Sequence, residues 1–146
     1  MSNIATPADL TKLWGFAVLF HGKDRPGVAL VFVDEILTEA SASEILVGSA
    51  QSRKLFRIAH DILRRRYRGV AQKRFSEASQ QGLAFAGKLL QLPWAQREAY
   101  MLYVCADFSY EDIAAICGCP IGSIRSRINR AKHALAAAGL ADVAQQ

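Results

Sequence analysis

Apolar and polar positions along the chain fall mostly into helical spacing. Residues 10–20, LTKLWGFAVLF, are apolar enough for a buried helix. The stretch His21 to Gly27, HGKDRPG, is rich in Gly and Pro and reads as a turn or loop. Residues 28–40, VALVFVDEILTEA, admit two readings. VALVFV has strong β-propensity, whereas Val28, Phe32, Ile36 and Ala40 recur every four residues, as on a helix. No second convincing strand exists to pair with it, so a helix is the expected state. SASEILVGSAQ reads as a short loop with a partial helix. Residues 51–68, QSRKLFRIAHDILRRRYR, form an amphipathic helix. Leu55, Ile58, Ala59, Ile62 and Leu63 make its apolar stripe, and arginines crowd the rest. The polar, Gly-flanked GVAQKRFSEASQQG at 69–82 is the linker candidate, followed by the short apolar segment LAFAGKLLQL.

Pro93 opens the next helix, through Val104, in the first-turn position that proline tolerates. Ser109 is an N-cap for YEDIAAIC, with Asp112 as a capping-box-like partner three residues on. Gly118 sits where that helix stops, and Cys119-Pro120 completes a tight turn. The last helix runs from about Ile121 to Ala138, with Gly139 beyond it. The expected fold is all-α. It comprises a helical module at 1–68, a linker at 69–86 and a second module at 87–146.

Residues 109–130 read S-YEDIAAIC-GCP-IGSIRSRINR, a capped helix, a short Gly-containing turn and a second helix: the helix-turn-helix pattern. At about 100° per residue, Ile121, Ile124, Ile128, Ala131 and Leu135 share one face of the second helix. Gly122, Ser123, Ser126, Asn129, Arg130 and His133 share the opposite face, with Arg125 and Lys132 on one flank and Arg127 on the other. One face is suited to packing. The other offers hydroxyl, amide and guanidinium donors to base edges, and the flanking cations suit phosphates. Gly122, beside the helix N-terminus, permits close approach to a phosphate.

Charge sharpens this picture. The 146 residues carry 18 Lys+Arg and 13 Asp+Glu, for a net charge of +5. Residues 51–74 hold nine basic residues against Asp61 alone, and 121–146 hold four against Asp142 alone, while the intervening stretch is acidic. Two basic blocks suggest two contact points on one polyanion. Arg64, Arg65, Arg66 and Arg68 form a second candidate for a phosphate backbone, although three successive arginines cannot share one face. Phe56 is expected in the core, and Tyr67 is a more open aromatic.

Other chemistries are excluded. The three cysteines show no paired spacing, so no disulfide framework is expected. Cys117 and Cys119 form C-x-C, with Cys105 upstream. The nearest further ligand in sequence, His133, projects to the outer face of the last helix, so buried structural cysteines and no metal are expected. His21, His60 and His133 have no nucleophile or carboxylate at a catalytic spacing, and no phosphate-binding glycine loop occurs. No enzyme activity and no cofactor are expected. No apolar run approaches the roughly 20 residues of a membrane span, and MSNIATPADL has no basic start followed by an apolar stretch. A cytoplasmic protein without a membrane partner is expected.

The stretch LPWAQREAYMLYVCADFSYEDIAAICGCPIGSIRSRINRAKHAL resembles region 4 of the extracytoplasmic-function (ECF) sigma factors of bacterial RNA polymerase. The family pattern is L-P, then R a few residues on, then S-Y-x-E-I-A, then G-T-V-K-S-R-L-x-R-A-R. Leu92-Pro93, Arg97, Ser109-Tyr110 and Ile113-Ala114 match, and Gly122 to Ile128 and Arg130 to Lys132 match conservatively. ICGCP is particularly similar to the general-stress-response branch. The resemblance implies that this module reads the upstream (−35) promoter element through Ser123, Arg125, Ser126, Arg127 and Arg130, with Gly122 in the close-approach role. It implies promoter DNA and core RNA polymerase as partners, and an anti-sigma factor as a further one.

The N-terminal half resembles region 2 of the same family less closely. LWGFAVLFHGKDRP is similar to its first helix, and KLFRIAHDILRRRYR to its last, with Lys54 in place of the usual Trp. Between them the family has D-A-E-D-L-V-Q-E-T-F, whose polar residues dock on the polymerase. Here Ala29 and Leu30 replace acidic positions, Val33 falls where the Gln belongs, and only Asp34 and Glu35 remain acidic. A second relative with a similarly eroded region 2 is the sigma-like domain that mimics a sigma factor to titrate an anti-sigma protein. That domain usually loses the basic G-T-V-K-S-R motif, which this chain keeps. In sigma factors, docking of the two modules hides both DNA surfaces; whether these modules dock is not legible in the sequence, and the apolar VALVFV segment is a candidate for such a surface.

Overall fold

Thr6 opens the first helix. Its hydroxyl accepts from the Asp9 amide at 3.1 Å, and its own amide donates to the Asp9 carboxylate at 2.9 Å. This reciprocal cap, with Pro7 in the first turn, starts α1, Pro7–His21. Burial works to raise the Asp9 pKa, but hydrogen bonds from Ser52 and Thr6 hold it below the usual carboxylate range. The computed structural model describes residues 4–67 and 85–137. Arg68, Gly139 and the linker expected at 69–86, save its last two residues, lie outside them.

Pro26 then opens α2, Pro26–Ser41. The β-leaning VALVFV is helical. Ala29, Phe32, Val33, Ile36 and Ala40 turn inward, where α1 and α3 cover them. Burial of that stripe outweighs a preference worth about 1 kcal/mol at most. Next come α3, Ser49–Tyr67; α4, Phe85–Gln91; α5, Trp94–Val104; α6, Tyr110–Cys117; and α7, Ile121–Ala137. Pro93 is the N-cap of α5, one position before the expected place in the first turn. Every regular element among the described residues is a helix.

The two halves share one core. A single buried cluster runs from Leu13, Phe16, Phe20, Phe32 and Leu55 through Phe56 to Met101, Leu102, Ile113, Ile116, Ile124 and Ile128. Phe56 is in that core, as expected, and joins the halves. Its ring meets Phe16 edge-on at 5.7 Å and Phe108 at 5.2 Å. A smaller cluster of Leu89, Leu92, Tyr100, Ala131 and Leu135 fixes α7 on α4 and α5. Tyr67 is half-buried and stacks on Trp94.

Polar contacts reinforce the seam. Arg97 is buried under the Phe20 ring and donates to the carbonyls of Phe20 (2.7 Å) and Leu92 (3.2 Å). Arg57 donates to the Ala115 carbonyl at 2.9 Å, and Arg53 lies 3.8 Å from Asp112. The docking surface is therefore formed by α1 and α3 against α4, α5 and α6. VALVFV does not serve it: Leu30 is 62% exposed and Val31 57%. On a helix, that apolar run divides between an inner and an outer side, and only the inner side meets a neighbour.

Candidate nucleic-acid interface

The interface is built around the turn between α6 and α7. Ser109 caps α6 by accepting from the Asp112 amide at 3.1 Å. The Asp112 carboxylate turns toward Arg53 instead of closing a reciprocal cap. Gly118 ends α6 in the left-handed conformation (φ 64°, ψ 39°), and its amide and that of Cys119 both donate to the Ala114 carbonyl. Gly118 suits this place for two reasons. A side chain there is strained, and a Cβ would come within 3.1 Å of the Arg57 guanidinium. The Pro120 carbonyl then accepts from Ser123 and Ile124, which starts α7.

Ile124, Ile128, Ala131 and Leu135 are fully buried against α5 and α6, and Ile121 is half-buried. That packing forces the opposite face outward. Gly122, Arg125, Asn129, Arg130 and His133 are exposed, and Ser123, Ser126 and Arg127 are half-buried. Among the described residues, no atom beyond its own stretch of helix lies within 4 Å of where a Gly122 Cβ would stand, which leaves room for the expected close approach. Arg127 leans on the turn, donating to the Cys119 sulfur at 3.7 Å. Lys132 lies over the Tyr103 ring, 5.2 Å from its centre. Neither Arg125 nor Arg130 meets an acidic group among the described residues. Docking of the halves does not hide this face, unlike the docking that the sigma-factor resemblance describes. It is α3 that the second half covers, through α6.

Arg64 and Arg65 sit apart from this face, at the C-terminal end of α3. Arg64 is exposed. Arg65 holds Glu39 at 2.7 Å and Arg66 holds Glu35 at 2.9 Å, both acids on α2. These pairs are solvent-exposed and weakly held. Of the three α2 positions that depart from the family pattern, Ala29 and Val33 are buried, and only Leu30 alters the surface.

One constellation has no trace in the sequence spacing. His60 on α3, Glu98 on α5 and Cys117 on α6 meet at the seam, all buried. His60 Nδ1–H donates to the Glu98 carboxylate at 2.8 and 3.0 Å, and the Cys117 thiol donates to it at 3.7 Å. Burial and the neighbouring Glu98 push the Cys117 thiol pKa far up. The residues lie 38 and 19 positions apart, so only the docking of α3 on α5 and α6 assembles them.

Comparison with known proteins agrees with this geometry. The family described as Sigma-70, region 4, matches residues 83–135. The chain is 55% identical over 53 residues to the ECF RNA polymerase sigma factor EcfG of Rhodopseudomonas palustris, covering 36% of this chain and 29% of that protein. It is 57% identical over 42 residues to the probable RNA polymerase sigma-C factor of Mycobacterium bovis, covering 29% and 23%. The matched stretch thus spans less than a third of these curated relatives. Among solved structures, the sigma factor RpoE from Bartonella quintana, in complex with the anti-sigma factor NepR, aligns with a TM-score of 0.61 at 31% identity, over 87% of this chain and 89% of that one.

Proposed function

We propose that this chain, which belongs to the extracytoplasmic-function sigma factors, directs RNA polymerase to promoters in the cytoplasm, with α7 reading the −35 element. The observation that carries the reading is the outer face of α7. It is rigidly backed by Ile124, Ile128, Ala131 and Leu135, and it presents Gly122, Ser123, Arg125, Ser126, Arg127 and Arg130 to solvent. Arg125 and Arg130, with no acidic partner among the described residues, meet phosphates and base edges at little internal cost. Arg64, Arg65 and Arg68 supply a second, weaker basic contact. The proposed modules are 1–68 for polymerase and the −10 region and 87–146 for the −35 element, with 69–86 as linker, whose last two residues already belong to α4. The ICGCP turn and the likeness to EcfG and to the NepR-bound RpoE support a place in the general-stress branch, with a small anti-sigma protein as a further partner.

The test is anisotropy of the full chain on duplexes selected from a random-sequence pool, at several salt concentrations. Replacing Arg125, Arg127 and Arg130 with Ala weakens binding. It also flattens the dependence of log K on log salt by about 0.9 for each phosphate no longer neutralised. Unchanged affinity and slope in the triple variant refute the reading.

A second reading is favoured by one observation, the apolar outer side of α2 at Val28, Leu30 and Val31. There the chain is a sigma mimic that binds an anti-sigma factor and not the polymerase. Purified core polymerase, free of anti-sigma protein, decides between them: capture of core by the tagged chain supports the sigma factor, and failure to capture it supports the mimic.

A further inference from the structure

We propose that His60, Glu98 and Cys117 are ligands of a divalent metal ion of the zinc class, held at the seam between the two halves. Their three donor atoms, imidazole Nδ1, a carboxylate oxygen and Sγ, all lie within 4.8 Å of one another. Tetrahedral zinc holds such atoms at bond lengths of about 2.0–2.3 Å, which places pairs of ligands roughly 3.3–3.8 Å apart. Sulfur to oxygen, at 3.7 Å, already fits; nitrogen to oxygen opens from 2.8 Å by about half an ångström, and nitrogen and sulfur, within 4.8 Å of each other, close by up to about 1 Å as the side chains turn onto the ion. The donor set of one nitrogen, one oxygen and one sulfur selects zinc-like ions over magnesium or calcium.

Charge supports the site. Glu98 is 1% exposed, and its carboxylate accepts only from one imidazole and one weak thiol donor among the described residues. An ionised carboxylate in such a place needs a counter-charge. A neutral imidazole, a carboxylate and a thiolate together carry two negative charges, which a divalent cation balances. On uptake the Cys117 S–H proton leaves to solvent, the imidazole carries its proton on Nε2, and the ion bonds to Nδ1, the carboxylate and Sγ. The fourth position falls to water, since Cys119, two residues on, is held by Arg127. The ion fastens α3 to α5 and α6, so it stabilises the docked form. This inference stands apart from promoter binding, which neither requires nor tests it.

The experiment is titration of the reduced, chelator-stripped full chain with Co²⁺. The expected result is a thiolate-to-cobalt band in the near ultraviolet with visible bands of tetrahedral intensity, saturating at about one ion per chain and displaced by Zn²⁺. Cys117→Ser and His60→Ala abolish the ultraviolet band and the one-ion stoichiometry respectively, and Cys105→Ser keeps both. Should the site variants fail to fold, the wild-type chain still decides. Its Tm rises with each tenfold excess of Zn²⁺ and returns on chelation. Absence of the ultraviolet band, its survival in Cys117→Ser, or a Tm indifferent to Zn²⁺ overturns the proposal.

Discussion

Replacing Gly118 with Ala tests how the turn between α6 and α7 is held. Two costs arise. The residue sits at φ 64°, where an L side chain costs about 1–2 kcal/mol. The new Cβ also stands 3.1 Å from the Arg57 guanidinium. That group is the flexible end of a long side chain and can withdraw, but doing so gives up its 2.9 Å hydrogen bond to the Ala115 carbonyl. Arg57 is about half-exposed, so this bond contributes only about 0.5–1 kcal/mol. The sum is about 2 kcal/mol, a fall in Tm of about 4–8 °C for a chain of this length. In urea titrations the midpoint drops while the slope stays constant. Gly118→Asn costs about half as much, because Asn tolerates the left-handed region. In the Arg57→Ala background, Gly118→Ala costs about 0.5–1 kcal/mol less than in the wild type. A Gly118→Ala variant as stable as the wild type refutes the backbone argument. Strict additivity of the two substitutions refutes the part assigned to Arg57.

Three further outcomes follow from the same packing. Phe56→Ala removes the ring that joins both halves of the core and costs about 3–5 kcal/mol; hydrogen exchange then shows weaker protection in α1 and in α6 together, whereas weakening confined to α1–α3 contradicts a shared core. Ser109→Ala removes the α6 cap and costs about 1 kcal/mol by thermal melt, and a larger loss would point to a role beyond capping. Burial holds the His21 imidazole below its ordinary pKa of 6.5, with Arg66 and Arg97 adding to the effect against the Ala17 carbonyl. The unfolded chain therefore binds a proton that the native one resists. His21's contribution is whole above about pH 6.5 and is lost as the pH falls below it. His21→Gln flattens that decline in a urea titration series from pH 7 to pH 5, and an unchanged pH profile counts against the assignment.

Much of the fold is legible in the sequence because its signals are local. Ser109, Gly118 and the spacing of Ile124, Ile128, Ala131 and Leu135 each follow from a rule acting within one or two helical turns, and each holds in the structure. The helical state of α2 needs more, since VALVFV taken alone leans toward a strand; the wider i, i+4 stripe decides it once α1 and α3 are there to cover it. The docking surface is misread from sequence for the same reason. A run of apolar letters does not say which side of a helix meets a neighbour, and Leu30 and Val31 face solvent.

What stays hidden lies at the seam, where the partners are far apart in the chain. Arg97 matches a family position, yet its task of holding the Phe20 carbonyl 77 residues away has no sequence signature. The His60–Glu98 pair is hidden in the same way, 38 residues apart. These contacts share a physical cause. The inner side of α6, with Ile113 and Ile116, packs into the common core and against α7, while its outer end carries the Ala115 carbonyl to Arg57 and Asp112 to Arg53 of α3. Helix α6 is too short at eight residues to be stable alone. Contacts from both sides therefore fix its position, and the turn at Gly118 passes that position to α7. The exposed basic face of α7 is in this sense set by the α1–α3 half as much as by its own sequence.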